Sequence, residues 1–214
     1  MLFQRPALDL VLPMRCLHCR GPKGPICLGC EARLEIKPHM AERFDFLGVT
    51  CATYSEPVAE LISNFKEQGH STLASGLARA MASAVNDLDF ISNDKQTILV
   101  PVADHPDSTR GFSHTKLLSK KLAASLGISW VSALTMSAKV SDQASLTGEA
   151  RRLNLVNSMR TKPWFSNERV LVVDDLVTTG STIREARRAL IDADCEVVGF
   201  VTFAETLKKS ATRS

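Results

Sequence analysis

Hydrophobic residues in this chain form short continuous runs that are separated by stretches with helical spacing. The runs lie within 49–54, 97–103, 166–174 and 196–203, and they are typical of buried strands. Between them, apolar residues recur every three or four positions, as on one face of a helix. These positions are Val58, Leu61, Ile62 and Phe65; Leu73, Leu77, Met81 and Val85; Leu117, Leu118, Leu122 and Leu126; and Ile183, Ala186 and Leu190. The alternation predicts an α/β fold with a mostly parallel sheet and helices on both faces.

The composition is ordinary for a globular chain and excludes few functions. The 214 residues suit one full α/β domain with a small additional module. No apolar run is long enough to cross a bilayer, and residues 1–16 lack a convincing signal-peptide cleavage site. We therefore expect a cytoplasmic protein without membrane insertion. The formal net charge of +3 is too small to indicate nucleic-acid binding by itself.

The most informative segment is 169–182, with the sequence RVLVVDDLVTTGST. Its apolar run ends at Asp174 and Asp175, and open α/β sheets bind ligands at the carboxyl ends of their strands. The next residues suit a phosphate, because a helix N-terminus has unpaired N–H groups and glycine lets the backbone approach closely. They are Thr178, Thr179, Gly180, Ser181 and Thr182. Two carboxylates beside a phosphate are explained if they bind sugar hydroxyls or a divalent cation.

Three other interpretations of this segment are weaker. An ordinary strand-to-helix turn with Asp and Thr caps does not need two acids, a glycine and hydroxyls together. A nucleotide-binding P-loop ends in Gly-Lys-Ser/Thr, which this segment lacks. A receiver domain begins with such a strand, whereas too few residues follow it here to complete that fold.

Four cysteines near the start of the chain form a second motif. Cys16, Cys19, Cys27 and Cys30 have the spacing Cys-x2-Cys-x7-Cys-x2-Cys, which can supply a tetrahedral zinc site. Disulfides are disfavoured in the cytosol, and a redox-active pair does not need a second pair at matching spacing. Because four thiolates leave no open coordination position, we expect a structural Zn²⁺ and a solvated His18. We expect Cys51 and Cys195 to be thiols of the core.

Segment 169–182 resembles the loop of type I phosphoribosyltransferases that binds phosphoribosyl pyrophosphate (PRPP). In that family the acid pair binds the ribose 2′ and 3′ hydroxyls, and the following loop binds the 5′-phosphate. The resemblance implies that Asp174 and Asp175 hold the ribose and that residues 178–182 hold the phosphate. It also implies Mg²⁺, bound together with PRPP.

Shorter matches extend the resemblance over nearly the whole chain, to the ComF/GntX family of phosphoribosyltransferase-like proteins with a zinc ribbon. The matching residues are Phe65, Lys66 and Gly69; Pro101, Val102, Arg110, Gly111 and Phe112; and Gln143, Leu146, Arg151 and Asn154. The resemblance implies that pyrophosphate or the hood over the site is contacted by Lys66, Val102, Ala103, Arg110 and Arg151. Solvated charges are the alternative for Lys66, Arg110 and Arg151. The resemblance further implies a zinc-ribbon module and linker at 1–47 and a phosphoribosyltransferase-like domain at 48–214. Residues 32–48 are mixed and weakly patterned, which is typical of a linker.

The chain departs from the family pattern after the second strand. Ala103 replaces the second proline of Pro-Val-Pro, and Ser113 replaces the asparagine after Arg-Gly-Phe. Asp104 and Asp107 lie between these positions, where negative charge weakens anion binding unless Mg²⁺ is also bound.

The resemblance implies two functions of different classes. One is transfer of phosphoribose from PRPP to an unknown acceptor, with release of pyrophosphate. The other is a non-catalytic role in natural competence, through binding of single-stranded DNA or of proteins of the uptake machinery. In residues 14–45 and just beyond, Phe44 and Phe46 are the only aromatic candidates for stacking on bases.

Overall fold

The computed structural model describes residues 2, 15–16, 18–21, 26–68, 71–91, 96–104, 112–136 and 157–207. The helices are α1 Leu28–Arg33, α2 Glu56–Gln68, α3 Ser71–Asp87, α4 His114–Leu126 and α5 Ser181–Ile191. The strands are β1 His39–Glu42, β2 Leu47–Thr53, β3 Thr97–Pro101, β4 Leu134–Met136, β5 Met159–Thr161, β6 Arg169–Val173, β7 Leu176–Val177 and β8 Glu196–Glu205. Every helix and strand that the apolar pattern predicts is present.

The main sheet has the strand order β1-β2-β8-β6-β3, and the short strand β7 pairs with the end of β8. Strands β2, β8, β6 and β3 run parallel, whereas β1 is antiparallel to β2 at the edge. Strands β4 and β5 form a separate antiparallel sheet. The carboxyl ends of the four parallel strands meet at one edge, where sheets of this kind bind their ligands. The prediction of a mostly parallel sheet is confirmed.

Successive side chains of the central strand β6 build two cores on opposite faces of the sheet. Leu171 and Val173 belong to the core with α2, α3 and α4. Val170 and Val172 belong to the core with α5, β4 and β5. Because both faces are covered, the strand is apolar at every position from Val170 to Val173 and does not alternate with polar residues there.

The ends of α4 follow from its local sequence. The Ser113 hydroxyl accepts the backbone N–H of Lys116 and so caps the start of the helix. Gly127 ends the helix in the left-handed conformation, with φ 69° and ψ 28°.

Residues 39–42, which the sequence analysis places in a linker, form strand β1. Its register runs from His39 opposite Thr50 to Glu42 opposite Leu47. The linker interpretation is wrong at these residues, because a strand of this length buries a single apolar side chain, Ala41, and leaves no periodic signal. The sheet therefore begins before residue 48, and the division into domains at 47 stays a prediction.

The four-cysteine segment packs against α2. Its His18 contacts Glu60 of α2 through Nδ1, and His18 Nε2 lies 3.4 Å from an Arg33 nitrogen. The expectation of a solvated His18 is therefore wrong, because tertiary packing brings Glu60 of α2 against the four-cysteine segment. The segment also adds four buried side chains to the core with α2 and α3: Cys16, Ile26, Cys30 and Leu34.

The remaining two cysteines are buried, as predicted. Cys51 is 0% exposed and Cys195 is 7% exposed. Across the described ranges, none of the helices combines the length and the apolar character that a bilayer-spanning segment requires.

Candidate functional site

Two adjacent carboxylates follow β6 at the carboxyl edge of the sheet. Asp174 is 8% exposed and Asp175 is 2% exposed. The Asp175 N–H donates to Asp174 Oδ1 at 2.9 Å, and the Asp175 carbonyl accepts the N–H groups of Phe203 and Ala204 in β8. The backbone of the neighbouring strand therefore holds the acid pair in place.

The two carboxyl groups differ in their electrostatic environment. Burial raises the pKa of Asp174 well above its ordinary value, and the charge of Asp175 raises it further against the opposing charge of Lys66. Lys66 Nζ lies 3.1 Å from Asp175 Oδ2, and His114 Nε2 lies 3.6 Å from the same oxygen. Within the described residues that oxygen accepts no hydrogen bond; Lys66 contacts it as an ion pair, and His114 does so only when its ring is protonated. A buried acceptor beside a carboxyl with a raised pKa favours a ligand that brings hydroxyl groups or a cation.

Lys66 is therefore part of the acid-pair site. It lies in the last turn of α2 and its side chain is 29% exposed. The alternative of a solvated helix charge does not describe this ion pair. The sequence analysis missed His114, since an isolated histidine at a helix start gives no local sign of a distant carboxylate.

The loop after the acids turns at Gly180, which has φ 84° and ψ 5° and precedes α5. A Cβ atom there would lie 2.7 Å and 2.8 Å from Cβ and Cγ of Arg43, so the turn needs glycine for both conformation and space. Thr178 and Thr179 are exposed, and the Thr179 hydroxyl lies 3.0 Å from that of Ser181. The first N–H groups of α5 have no acceptor within the helix. The loop thus places the exposed Thr178 and Thr179 directly before the N-terminus of α5, where the Ser181 N–H donates to the Thr179 hydroxyl at 3.4 Å; its role in phosphate binding stays a prediction.

The end of β3 lies beside the acids. Val102 is buried and donates its N–H to a β6 carbonyl at 3.0 Å, and Ala103 is half-buried. The Asp104 carboxylate accepts the Ser113 hydroxyl at 2.6 Å and lies 2.9 Å from Lys116 Nζ. Its charge is compensated locally, which reduces the repulsion of an anion that the sequence alone suggests.

The other candidates of the pyrophosphate and hood segments fall outside the described residues. They are Gly69, Asp107, Arg110, Gly111, Gln143, Leu146, Arg151 and Asn154. Their roles stay predictions.

The small β4–β5 sheet is anchored to the helix that follows the loop. Glu185 of α5 is 5% exposed and accepts the Met159 N–H at 3.0 Å, while Arg188 donates to Glu185 and to the Met159 carbonyl, each at 2.7 Å. Burial opposes ionisation of Glu185, but hydrogen bonds from Arg188 and Met159 outweigh it and lower the pKa of this carboxyl. One helix therefore supports both the loop and the small sheet.

The four cysteines converge on one point. Their sulfur atoms all lie within 4.8 Å of one another, and Cys19 Sγ is 3.6 Å from Cys27 Sγ. A tetrahedral zinc site with Zn–S bonds of about 2.3 Å separates its sulfurs by about 3.8 Å. The cluster can therefore hold a metal ion.

Ionisation of the cluster also suits a metal. Burial opposes the thiolate of Cys16, but backbone hydrogen bonds from Cys19, Cys27 and His18 outweigh it and lower its pKa to about 6. Burial, followed by the neighbouring thiol of Cys27, raises the pKa of Cys30. Without a cation the thiols compete for ionisation, whereas a divalent ion stabilises several thiolates at once.

Comparisons with known proteins identify the family of this chain. The family model for the phosphoribosyl transferase domain matches residues 69–213. Competence protein F of Haemophilus influenzae is 30% identical over 206 residues, covering 82% of this chain and 90% of that protein. DNA utilization protein YhgH of Escherichia coli O157:H7 is 31% identical over 180 residues, covering 82% of this chain and 77% of that protein. An adenine phosphoribosyltransferase structure is 16% identical with a TM-score of 0.44, covering 82% of this chain and 89% of that one.

The chain belongs to the phosphoribosyltransferase domain family and, within it, to the ComF family of these relatives. The predicted family and the predicted fold class are thereby confirmed.

Proposed function

We propose that the edge of the sheet around the acid pair binds PRPP or a related sugar phosphate. The observation that carries the proposal is the direct succession of two buried carboxylates, a left-handed Gly180 and the N-terminus of α5. Asp174 and Asp175 bind the ribose hydroxyls, with Asp175 Oδ2, which accepts no hydrogen bond from the described residues, as one acceptor. The 5′-phosphate is bound by the N–H groups and hydroxyls of residues 178–182, because a helix N-terminus favours an anion.

The pyrophosphate of PRPP needs positive charge at the same edge. Lys66 lies there, and Val102 and Ala103 follow β3 beside the acids. Mg²⁺ prefers oxygen ligands and fits a site of adjacent carboxylates and phosphate oxygens, where it neutralises the pyrophosphate. In this proposal, Arg110 and Arg151 also contact the pyrophosphate or the hood over the site.

We propose that the reaction, where an acceptor is present, transfers the phosphoribosyl group from pyrophosphate to the acceptor through its carbon C1. The bond from C1 to the pyrophosphate oxygen breaks, a bond from C1 to the acceptor forms, and the acceptor loses a proton. Positioning and charge stabilisation supply the rate enhancement, so no protein nucleophile is needed. The acid pair contributes by fixing the ribose while positive charge develops at C1.

Calorimetric titration with PRPP and Mg²⁺ tests binding. Asp174→Asn and Asp175→Asn should each weaken PRPP binding at least about tenfold, which corresponds to about 1.4 kcal/mol. Asp87→Asn is the matched control, because Asp87 is exposed at the end of α3 and contacts Ser83. Equal affinities in all three variants would remove the acid pair from the site.

Release of pyrophosphate in the presence of candidate bases and amines separates the two functional classes. Turnover that disappears in both acid variants supports a phosphoribosyltransferase. PRPP binding without turnover on any acceptor supports a non-catalytic, ligand-sensing protein.

We further propose that the four cysteines bind one structural Zn²⁺. The supporting observations are the convergence of the four sulfurs and the lowered pKa of Cys16. Metal analysis should find about one Zn²⁺ per chain. Cys19→Ser should lose the metal and Cys195→Ser, a core thiol with no partner in the cluster, should keep it; a metal-free wild type contradicts this assignment.

We also propose that the protein acts in the cytoplasm in natural competence and DNA uptake. The names of the relatives support this role. The aromatic residues give direct DNA binding weak support, because Phe46 is 4% exposed and Phe44, which is 47% exposed, has the Arg184 guanidinium 4.4 Å from the centre of its ring. We therefore favour protein partners of the uptake machinery over single-stranded DNA. Salt-dependent affinity for single-stranded oligonucleotides would reverse that preference.

A further inference from the structure

Arg43 is a buried arginine that the proposed chemistry does not use. It is 4% exposed and begins the turn between β1 and β2, where it exchanges backbone hydrogen bonds with Phe46 at 3.0 and 3.1 Å. The residues between them, Phe44 and Asp45, have φ of 53° and 54°. Side-chain-bearing residues rarely adopt this conformation, so the surrounding contacts must hold the turn in place.

The Arg43 guanidinium joins the phosphate loop to the end of β8. Its Nε donates to the Thr178 carbonyl at 2.9 Å, and its Nη2 donates to the Thr206 carbonyl at 2.7 Å and lies 2.8 Å from Glu205 Oε2. Glu205 is itself buried, and its other oxygen lies 2.7 Å from His39 Nε2. A planar fork reaches these acceptors together, whereas a lysine ammonium cannot span them.

The rest of the same turn packs against the loop and α5. The aliphatic stem of Arg43 lies directly against Gly180, at the distances that exclude a Cβ. The Phe44 ring lies against the Arg184 guanidinium, and the Arg187 guanidinium lies 4.6 Å from the centre of the Phe46 ring. The β1–β2 turn therefore contacts the loop and the first two turns of α5 together.

We propose that Arg43 is a positioning residue for the sugar-phosphate loop. In a trans peptide the carbonyl and the following N–H point in opposite directions. Because Arg43 holds the Thr178 carbonyl toward the hairpin, the Thr179 N–H points away from the hairpin and is available to a phosphate. The identity of the ligand rests on the proposed function, whereas the order of the loop does not.

The test compares Arg43→Met, which keeps an apolar stem but loses every donor, with Arg43→Lys, which keeps the charge but loses the fork. Arg160→Lys is the control, since Arg160 is exposed in β5. Hydrogen–deuterium exchange of residues 176–184 measures loop order in the full chain, and calorimetry measures the affinity for PRPP with Mg²⁺. We expect faster exchange confined to this segment, and a Kd raised at least about tenfold in both Arg43 variants but not in the control.

Each outcome decides the proposal. Unchanged exchange in both Arg43 variants overturns it, as does affinity restored by lysine, because charge alone would then suffice. If the wild type binds no PRPP, the proposed function fails while the exchange data still decide the role of Arg43. If Arg43→Met does not fold, Glu205→Gln removes the charge beside the guanidinium while keeping the size of the side chain, and His39→Gln controls for the loss of the Glu205–His39 contact. Faster loop exchange in Glu205→Gln but not in His39→Gln supports the proposal, and unchanged exchange in Glu205→Gln refutes it.

Discussion

Replacing Gly180 with alanine tests the packing that holds loop 178–182 in place. Gly180 has φ 84°, and an added Cβ would lie 2.7 Å from Cβ and 2.8 Å from Cγ of Arg43. The substitution therefore combines a backbone cost with a steric cost. Gly127→Ala separates the two, because Gly127 has φ 69° and, among the described residues beyond its chain neighbours, no atom lies within 4 Å of an added Cβ.

The expected magnitudes follow from these two environments. A left-handed conformation costs a residue with a Cβ about 1–2 kcal/mol, and the reduced freedom of the unfolded alanine chain offsets about 0.4–1 kcal/mol. Both terms apply to both variants. Overpacking against Arg43 adds about 1–3 kcal/mol to Gly180→Ala alone. We therefore expect its free energy of unfolding to be lower than that of Gly127→Ala by about 1–3 kcal/mol.

Urea unfolding of the wild type and both variants measures this difference, provided that the slopes agree. Thermal unfolding should show the same order, with Tm lower by about 2–4 °C per kcal/mol for a chain of this size. Equal losses of stability in the two variants would refute the close contact between Gly180 and Arg43.

Two carboxyl variants should respond to pH in opposite directions. Because the folded state raises the pKa of Asp174, ionisation of this carboxyl destabilises the fold as pH rises above about 3.9. Asp174→Asn should therefore be more stable than wild type at neutral pH. This advantage should disappear toward pH 4. The lowered pKa of Glu185 stabilises the wild type above about pH 4.3, and this contribution is lost as pH falls through the lowered pKa. Glu185→Gln should therefore be less stable than wild type at neutral pH and approach it in acid. Denaturant unfolding over a pH series measures both, and differences that do not vary with pH contradict the assigned shifts.

Much of the candidate site could be predicted because its residues are contiguous. The acids, the hydroxyls and Gly180 follow one another directly after a buried strand, so local sequence places them at the edge of the sheet. Arg43 and His114 could not be found in this way, since they reach the site from the β1–β2 turn and from the start of α4. A single charged residue in a turn gives the same sequence signal whether it is solvated or buried.

The sequence by itself determined the α/β class, the place of the acid pair and of loop 178–182 after a buried strand, and the four-cysteine cluster. Each of these rests on periodicity or on short spacing, which act over a few residues. Only the tertiary structure decided that β1 joins the sheet, that Lys66 and His114 lie on Asp175, and that His18 meets Glu60. These contacts join residues far apart in the chain, and their energies depend on burial and on the nearest charge, which exist only once the strands and helices have packed.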